Sequence, residues 1–301
     1  MRAFRIFDER FRHLIFNTAN LECLWTGGRW VEGPAYFAAG RYLIWSDIPN
    51  DRLLRFDETD GSISEFRRPC RFENGHTVDR LGRLISCEHQ GRCVSRTEHD
   101  GSRTVLADSY KGRKLNSPND VVEKSDGSVW FTDPCYGIDS DYEGDRAESE
   151  IGACHVYRLD PRSGDISAVI TEMARPNGLA FSRDERVLYV TETGGTHDSG
   201  VPIVIRAYDV SADGREVGNG RVFASSRSGF FDGLRVDEND NVWTSAGRGV
   251  RCYARDGAHL GTIPVPELVA NVCFGGPKRN RLFICAQTSL YAIYVNARAA
   301  V

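Results

Sequence analysis

Six times along the chain a small polar residue opens an apolar, strand-like run in the same local context. The six are Glu32 in "VEGPAYFAAGRYLIWSD", Asn74 in "ENGHTVDRLGRLISCEH", Asn119 in "PNDVVEKSDGSVWFTDP", Asn177 in "RPNGLAFSRDERVLYVTET", Asp232 in "FFDGLRVDENDNVWTS" and Asn271 in "ANVCFGGPKRNRLFICAQ". They are 42, 45, 58, 55 and 39 residues apart, a drifting period of the size expected for a four-stranded blade. Each unit passes through a turn rich in Gly, Asp or Asn into a second run heavy in Trp, Tyr, Val, Ile and Leu. Two shorter runs usually follow, such as "RLLRFDETDG" and "SISEFRR".

Helical periodicity is absent except over residues 7–16, and no Pro/Gly/Ser-rich linker divides the units. The pattern therefore predicts an all-β chain, a six-bladed β-propeller with four-stranded antiparallel blades, as a single domain over 1–301 with residues 1–23 as an N-terminal extension. A pair of β-sandwiches would leave the shared polar residue unexplained. The two longest intervals carry polar insertions, "CYGIDSDYEGDRAESEIG" and "TGGTHDSGVPI", which read as loops.

In a propeller the first strand of every blade lines the central channel, so equivalent positions fall on one ring. Glu32, Asn74, Asn119, Asn177, Asp232 and Asn271 are expected there, two carboxylates and four carboxamides facing one mouth. Oxygens packed so closely call for a cation or ordered water. Without Cys or a His pair among them, the donors are hard and favour Ca²⁺, with Mg²⁺ or Mn²⁺ behind it. Antiparallel geometry returns the end of each second strand to the same face, placing Asp47, Glu88, His89, Asp133, Tyr136, Glu192, Thr193, Ser245 and Gln287 around the mouth.

Other chemistries lack their motifs: there is no G-x-S-x-G elbow, H-E-x-x-H, P-loop or G-x-G-x-x-G. The 38 basic and 42 acidic residues of the 301 nearly balance, at a net charge of −4, and form no runs. That argues against nucleic acid as a partner. No apolar stretch reaches membrane-spanning length, and the N-terminus lacks the pattern of a secretory signal. Nine cysteines without a C-x-x-C pair read as reduced thiols, and a cytoplasmic location is expected.

The segments "EGP" at 32–34, "SPND" at 117–120, "PNGLAFS" at 176–182, "DGLRVD" at 232–237 and "NVCFGG" at 271–276 resemble the gluconolactonase, regucalcin and luciferin-regenerating-enzyme family, from about Leu24 to Ile293. "NGHTVDRLGRLISCEH" and "SPNDVV" look closer to bacterial gluconolactonases than to animal regucalcins. The resemblance implies one divalent cation in the channel mouth, often calcium and in some members zinc or another ion. Its ligands here would be Glu32, Asn177 and Asp232, with Asn119 a fourth ligand or a substrate contact. An arginine that some members place just before the equivalent of Asn119 has no match; Asn116, Ser117 and Pro118 stand there, with Arg113 further upstream.

The reaction so implied is metal-dependent hydrolysis of a sugar lactone to the aldonic acid. Asp232 is expected as general base, with Glu88, His89 or a metal-bound hydroxide as other candidates, and Asn74, Asn119, His76, Tyr136, His89 and Glu88 as substrate contacts. A diisopropylfluorophosphatase-like phosphotriester hydrolase and a non-enzymatic calcium-binding propeller are the alternatives. Which lactone is taken, and whether the chain is a monomer or a homodimer, stay open at this level.

Overall fold

The computed structural model describes residues 4–300. Six four-stranded antiparallel sheets follow one another in chain order. The first runs outward through Val31–Phe37, Tyr42–Asp47, Arg52–Asp57 and Ile63–Arg67, and the second through Glu73–Val78, Leu84–Glu88, Cys93–Thr97 and Arg103–Ala107. The third begins at Val121–Glu123, the fourth at Pro176–Phe181, the fifth at Leu234–Val236 and the sixth at Val269–Gly275. These six first strands touch one another in sequence, and the sixth touches the first. That closed cycle is a six-bladed β-propeller.

Closure is made by the N-terminus. The sixth blade takes Glu22–Thr26 as its outermost strand, paired to Ser289–Tyr294, so the expected boundary of an extension at residue 23 falls inside a blade strand. Arg5–Ile6 adds a fifth strand to the fifth blade, and a short 3-10 turn, Glu9–His13, buries Phe11 against Trp243. That turn is the only part of the helical pattern over 7–16 that forms a helix. No helix among the described residues is long and apolar enough to cross a membrane.

The core lies between the blades. Trp45, Leu43 and Phe56 of the first blade pack with Phe283, Leu290 and Cys285 of the sixth; Trp130 and Val156 of the third pack with Leu188 and Val190 of the fourth. Each large apolar side chain buried this way contributes about 1.5–3 kcal/mol. Alternation along the second strands therefore points both faces at neighbouring blades, which explains runs as apolar as "YLIWSD" and "RLFICA".

Around the axis the sheets nearly collide. An added Cβ on Gly33, at φ +55, would lie 1.8 Å from the Asn74 carbonyl oxygen, and one on Gly178 2.3 Å from that of Asp232. These glycines follow ring residues because the next blade's backbone occupies the space, not because they close hairpin turns. Hydroxyls stitch the same seams: Ser46 donates to the Asn74 carbonyl at 2.9 Å, Thr132 to that of Asn177 at 2.7 Å and Thr191 to that of Asp232 at 2.9 Å.

Candidate active site

Irregular pairing aims the ring. The register of the first strand slips between Glu32 and Ala35, Glu73 and His76, Pro176 and Leu179, and Val269 and Asn271. A bulge of this kind re-aims one side chain without breaking the sheet. Asn119 and Asp232 precede their strands and are held by backbone bonds, Asn119 N to the Thr132 carbonyl and Asp232 N to Ser245 Oγ at 2.9 Å.

Five of the six ring residues, Glu32, Asn74, Asn119, Asn177 and Asp232, line one cavity of about 330 Å³. Asn271 does not reach it. Its Nδ2 donates to Glu32 Oε2 at 2.9 Å and its Oδ1 accepts from the amide of Val272, so it braces Glu32 from behind. The two insertions fold over the mouth: Tyr136 and Glu143 come from the one in the third blade, and Thr193, Thr196 and His197 from the one in the fourth. Tyr136 heads a short helix, Tyr136–Asp139, and Arg175 stacks on its ring at 5.0 Å while pairing with Asp139 at 2.6 Å.

Other expected contacts lie elsewhere. His76 is buried between Ser46 and Ser86 and lines a cavity at the opposite end of the channel, because the strand carries it one bulge further from the ring. Glu88 is buried inside the second blade, engaged by Ser95 and by Arg103 through both oxygens. His89 stands behind the wall: its Nδ1 bonds the Glu143 carbonyl at 2.8 Å and its Nε2 bonds Asn74 Nδ2 at 3.2 Å. A carbonyl only accepts, so the proton is on Nδ1 and Nε2 accepts from the carboxamide. Burial lowers the imidazole to about 4, and His89 is a neutral strut.

Most second-strand ends are braces too. Asp47 holds Arg52, Asn50 and the amide of Arg29; Glu192 caps the amides of Ala174, Arg175 and Gly194; Asp133 accepts from Asn116 N. Only Tyr136 and Thr193 of that set line the cavity. Glu143, Thr196 and His197 were not singled out in the sequence. Their signal is that both insertions follow second strands, which end at the ring face.

The cavity is strongly acidic. Burial first, and then mutual repulsion with Glu143 and Asp120, raise the carboxyl groups of Glu32 and Asp232. Burial alone pushes Glu143 up to about 7. None of these three forms an ion pair among the described residues. Asp120 of the third blade pairs instead with Arg235 of the fifth at 3.3 Å. Carboxylates drawn together without a counter-charge, Glu32 buried and Asp232 half-buried, are costly, and with the carboxamides of Asn119 and Asn177 beside them they form a donor set that fits a hard divalent cation. No three His, Cys, Asp or Glu side chains among the described residues gather closely enough to hold a metal alone; a cation here would need the asparagines.

Residues 30–288 match the family model described as SMP-30/Gluconolactonase/LRE-like region. The chain belongs to this family. Within the SMP-30/gluconolactonase-like family it is 32% identical to a pentonolactonase from Haloferax volcanii, over 86% of this chain and 82% of that one. It is 29% identical to a gluconolactonase from Zymomonas mobilis, over 95% and 84%. A solved gluconolactonase from Xanthomonas campestris superposes with a TM-score of 0.91 at 35% identity, covering 98% of this chain and 95% of the other.

Proposed function

We propose that this chain is a lactonase that hydrolyses a sugar lactone to its aldonic acid, with a divalent cation, calcium first, held by Glu32, Asn177, Asp232 and Asn119. The observation that carries the reading is the convergence of buried Glu32 and half-buried Asp232, both without counter-charge, with two carboxamides in a mouth sized for a small ligand. Relatives named gluconolactonase and pentonolactonase, matched over more than four fifths of their length, support it.

A divalent cation in this donor set would act as a Lewis acid on the lactone carbonyl and offset negative charge there. Asp232 takes the proton from the attacking water. Water oxygen adds to the carbonyl carbon, the ring C–O bond breaks, and the ring oxygen leaves with a proton, giving the hydroxy acid. Asn74, Asn119 and Tyr136 orient substrate hydroxyls; burial holds the Tyr136 phenol protonated, so it donates. Glu143, above the ring, is a further polar contact. All nine cysteines are free, in keeping with the cytoplasmic location proposed.

The test is a pH-indicator assay of aldonolactones with metal-stripped protein refilled by Ca²⁺, Zn²⁺, Mn²⁺ and Mg²⁺ in turn. Turnover restored by one cation is expected, and loss of at least 100-fold in kcat for Asp232→Asn at unchanged metal content. Saturable cation binding without turnover of any lactone would overturn the reading in favour of a binding propeller, and turnover of organophosphates instead would favour a phosphotriester hydrolase.

A further inference from the structure

The cavity has two chemically different sides. Its polar side, with Tyr136, Glu143, Thr193 and His197, comes from the third and fourth blades. Its other side comes from the fifth, sixth and first blades, which are consecutive in the closed ring and lie across the channel. Trp30 and Phe230 stand two places before Glu32 and Asp232, and Leu268 and Val269 lead into Asn271. Glu32 and Asp232 form the floor of this arc, and the side chains beside them, Trp30, Phe230, Leu268 and Val269, are uncharged; none of the three large ones makes a hydrogen bond among the described residues.

Phe230 and Leu268 each keep 42% of their surface exposed. Large apolar side chains left open beside a convergent polar site mark a surface that a ligand covers. A polyhydroxylated lactone presents polar groups around most of its ring and uses the third- and fourth-blade side. Its hydroxyls find no charged partner in Trp30, Phe230 and Leu268. A lactone carrying an apolar substituent, with its carbonyl over Glu32 and Asp232, can cover them.

We propose that the site also hydrolyses δ-lactones bearing an alkyl or aryl substituent, seated against Trp30, Phe230 and Leu268. The inference rests on the lactonase reading of the same site. The bond changes are those of that reaction: water oxygen adds to the carbonyl carbon, the ring C–O bond breaks, and the products are the 5-hydroxy carboxylate and one proton. Specificity comes from burial of the substituent, which stabilises the bound lactone in proportion to apolar area covered.

The experiment compares δ-valerolactone, δ-hexalactone, δ-nonalactone and glucono-1,5-lactone with the metal-replete protein. The expected result is kcat/KM rising with substituent length, by about tenfold from δ-valerolactone to δ-nonalactone. In Phe230→Ser/Leu268→Ser the δ-nonalactone to glucono-1,5-lactone ratio is expected to fall at least fivefold. A flat series alongside turnover of glucono-1,5-lactone overturns this inference and leaves the lactonase reading standing; no turnover of any lactone with any cation overturns both. The wild-type series decides the matter even if the double variant does not fold. Sedimentation velocity on both proteins covers the other occupant: a wild-type dimer that the double variant dissolves, with a flat series, would assign the arc to contact between two copies of the chain.

Discussion

His89 Nδ1 donates to the backbone carbonyl of Glu143 at 2.8 Å, fastening the insertion of the third blade to the ring. The other ring nitrogen accepts from Asn74, so one imidazole sets both a ring carboxamide and the loop that carries Glu143. Replacing His89 by Phe keeps the bulk and removes both bonds, each worth about 0.5–1.5 kcal/mol. A rise in lactone KM of about three- to tenfold is expected, with faster proteolysis within residues 136–150. Because His89 is held neutral down to about pH 4, its loss should leave the pH profile above pH 5 unchanged in shape.

Asn271 tests how far the ring depends on support from behind. Its amide fixes Glu32 Oε2, and groups that orient a metal-binding carboxylate typically alter cation affinity by 10–100-fold when removed. At the calcium site proposed above, Asn271→Ala should weaken binding by that factor in isothermal titration. Glu32 Oε2 also accepts from Gly33 N at 2.6 Å, and an unchanged affinity would argue that this bond alone positions the carboxylate.

Asp133 makes stability fall with pH. Burial pushes its carboxyl from the ordinary 3.8 up to about 8, and Oδ1 has no partner among the described residues. The folded state therefore holds the proton more tightly than the unfolded chain. The stabilisation is complete below about pH 4 and is lost as pH rises toward 8. Asp133→Asn, which cannot ionise, should melt at a temperature less dependent on pH across 5–8, its advantage over the wild type growing as pH rises.

Gly33 and Gly61 both sit at positive φ, +55 and +76, but only Gly33 faces a neighbouring blade; nothing lies within 4 Å of a Cβ on Gly61. Gly61→Ala should cost about 1–2 kcal/mol, the left-handed penalty alone. Gly33→Ala adds a clash with Asn74 and should cost about 3 kcal/mol or more in urea denaturation. Equal costs would mean that the seam between the first two blades can open.

Repetition makes the architecture legible in the sequence. Six polar residues in one context imply six inner strands and one ring, and five of the six line the cavity together. The seam glycines were visible as residues, but not their cause, since a turn signal and a close approach between blades look alike in one dimension.

Where the prediction parted from the structure, the deciding factor was a contact distant in the chain. His76, Glu88 and His89 follow the ring or the second strand as closely as true cavity residues do. One bulge sends His76 to the far mouth, Arg103 occupies Glu88, and the backbone carbonyl of Glu143, 54 residues beyond His89, accepts its hydrogen bond. Local sequence determined which residues open each blade, because strand period and turn chemistry act within a few residues. Which of them meet, and which brace others, was decided only when six blades closed around an axis, because a hydrogen-bond partner is set by distance in space.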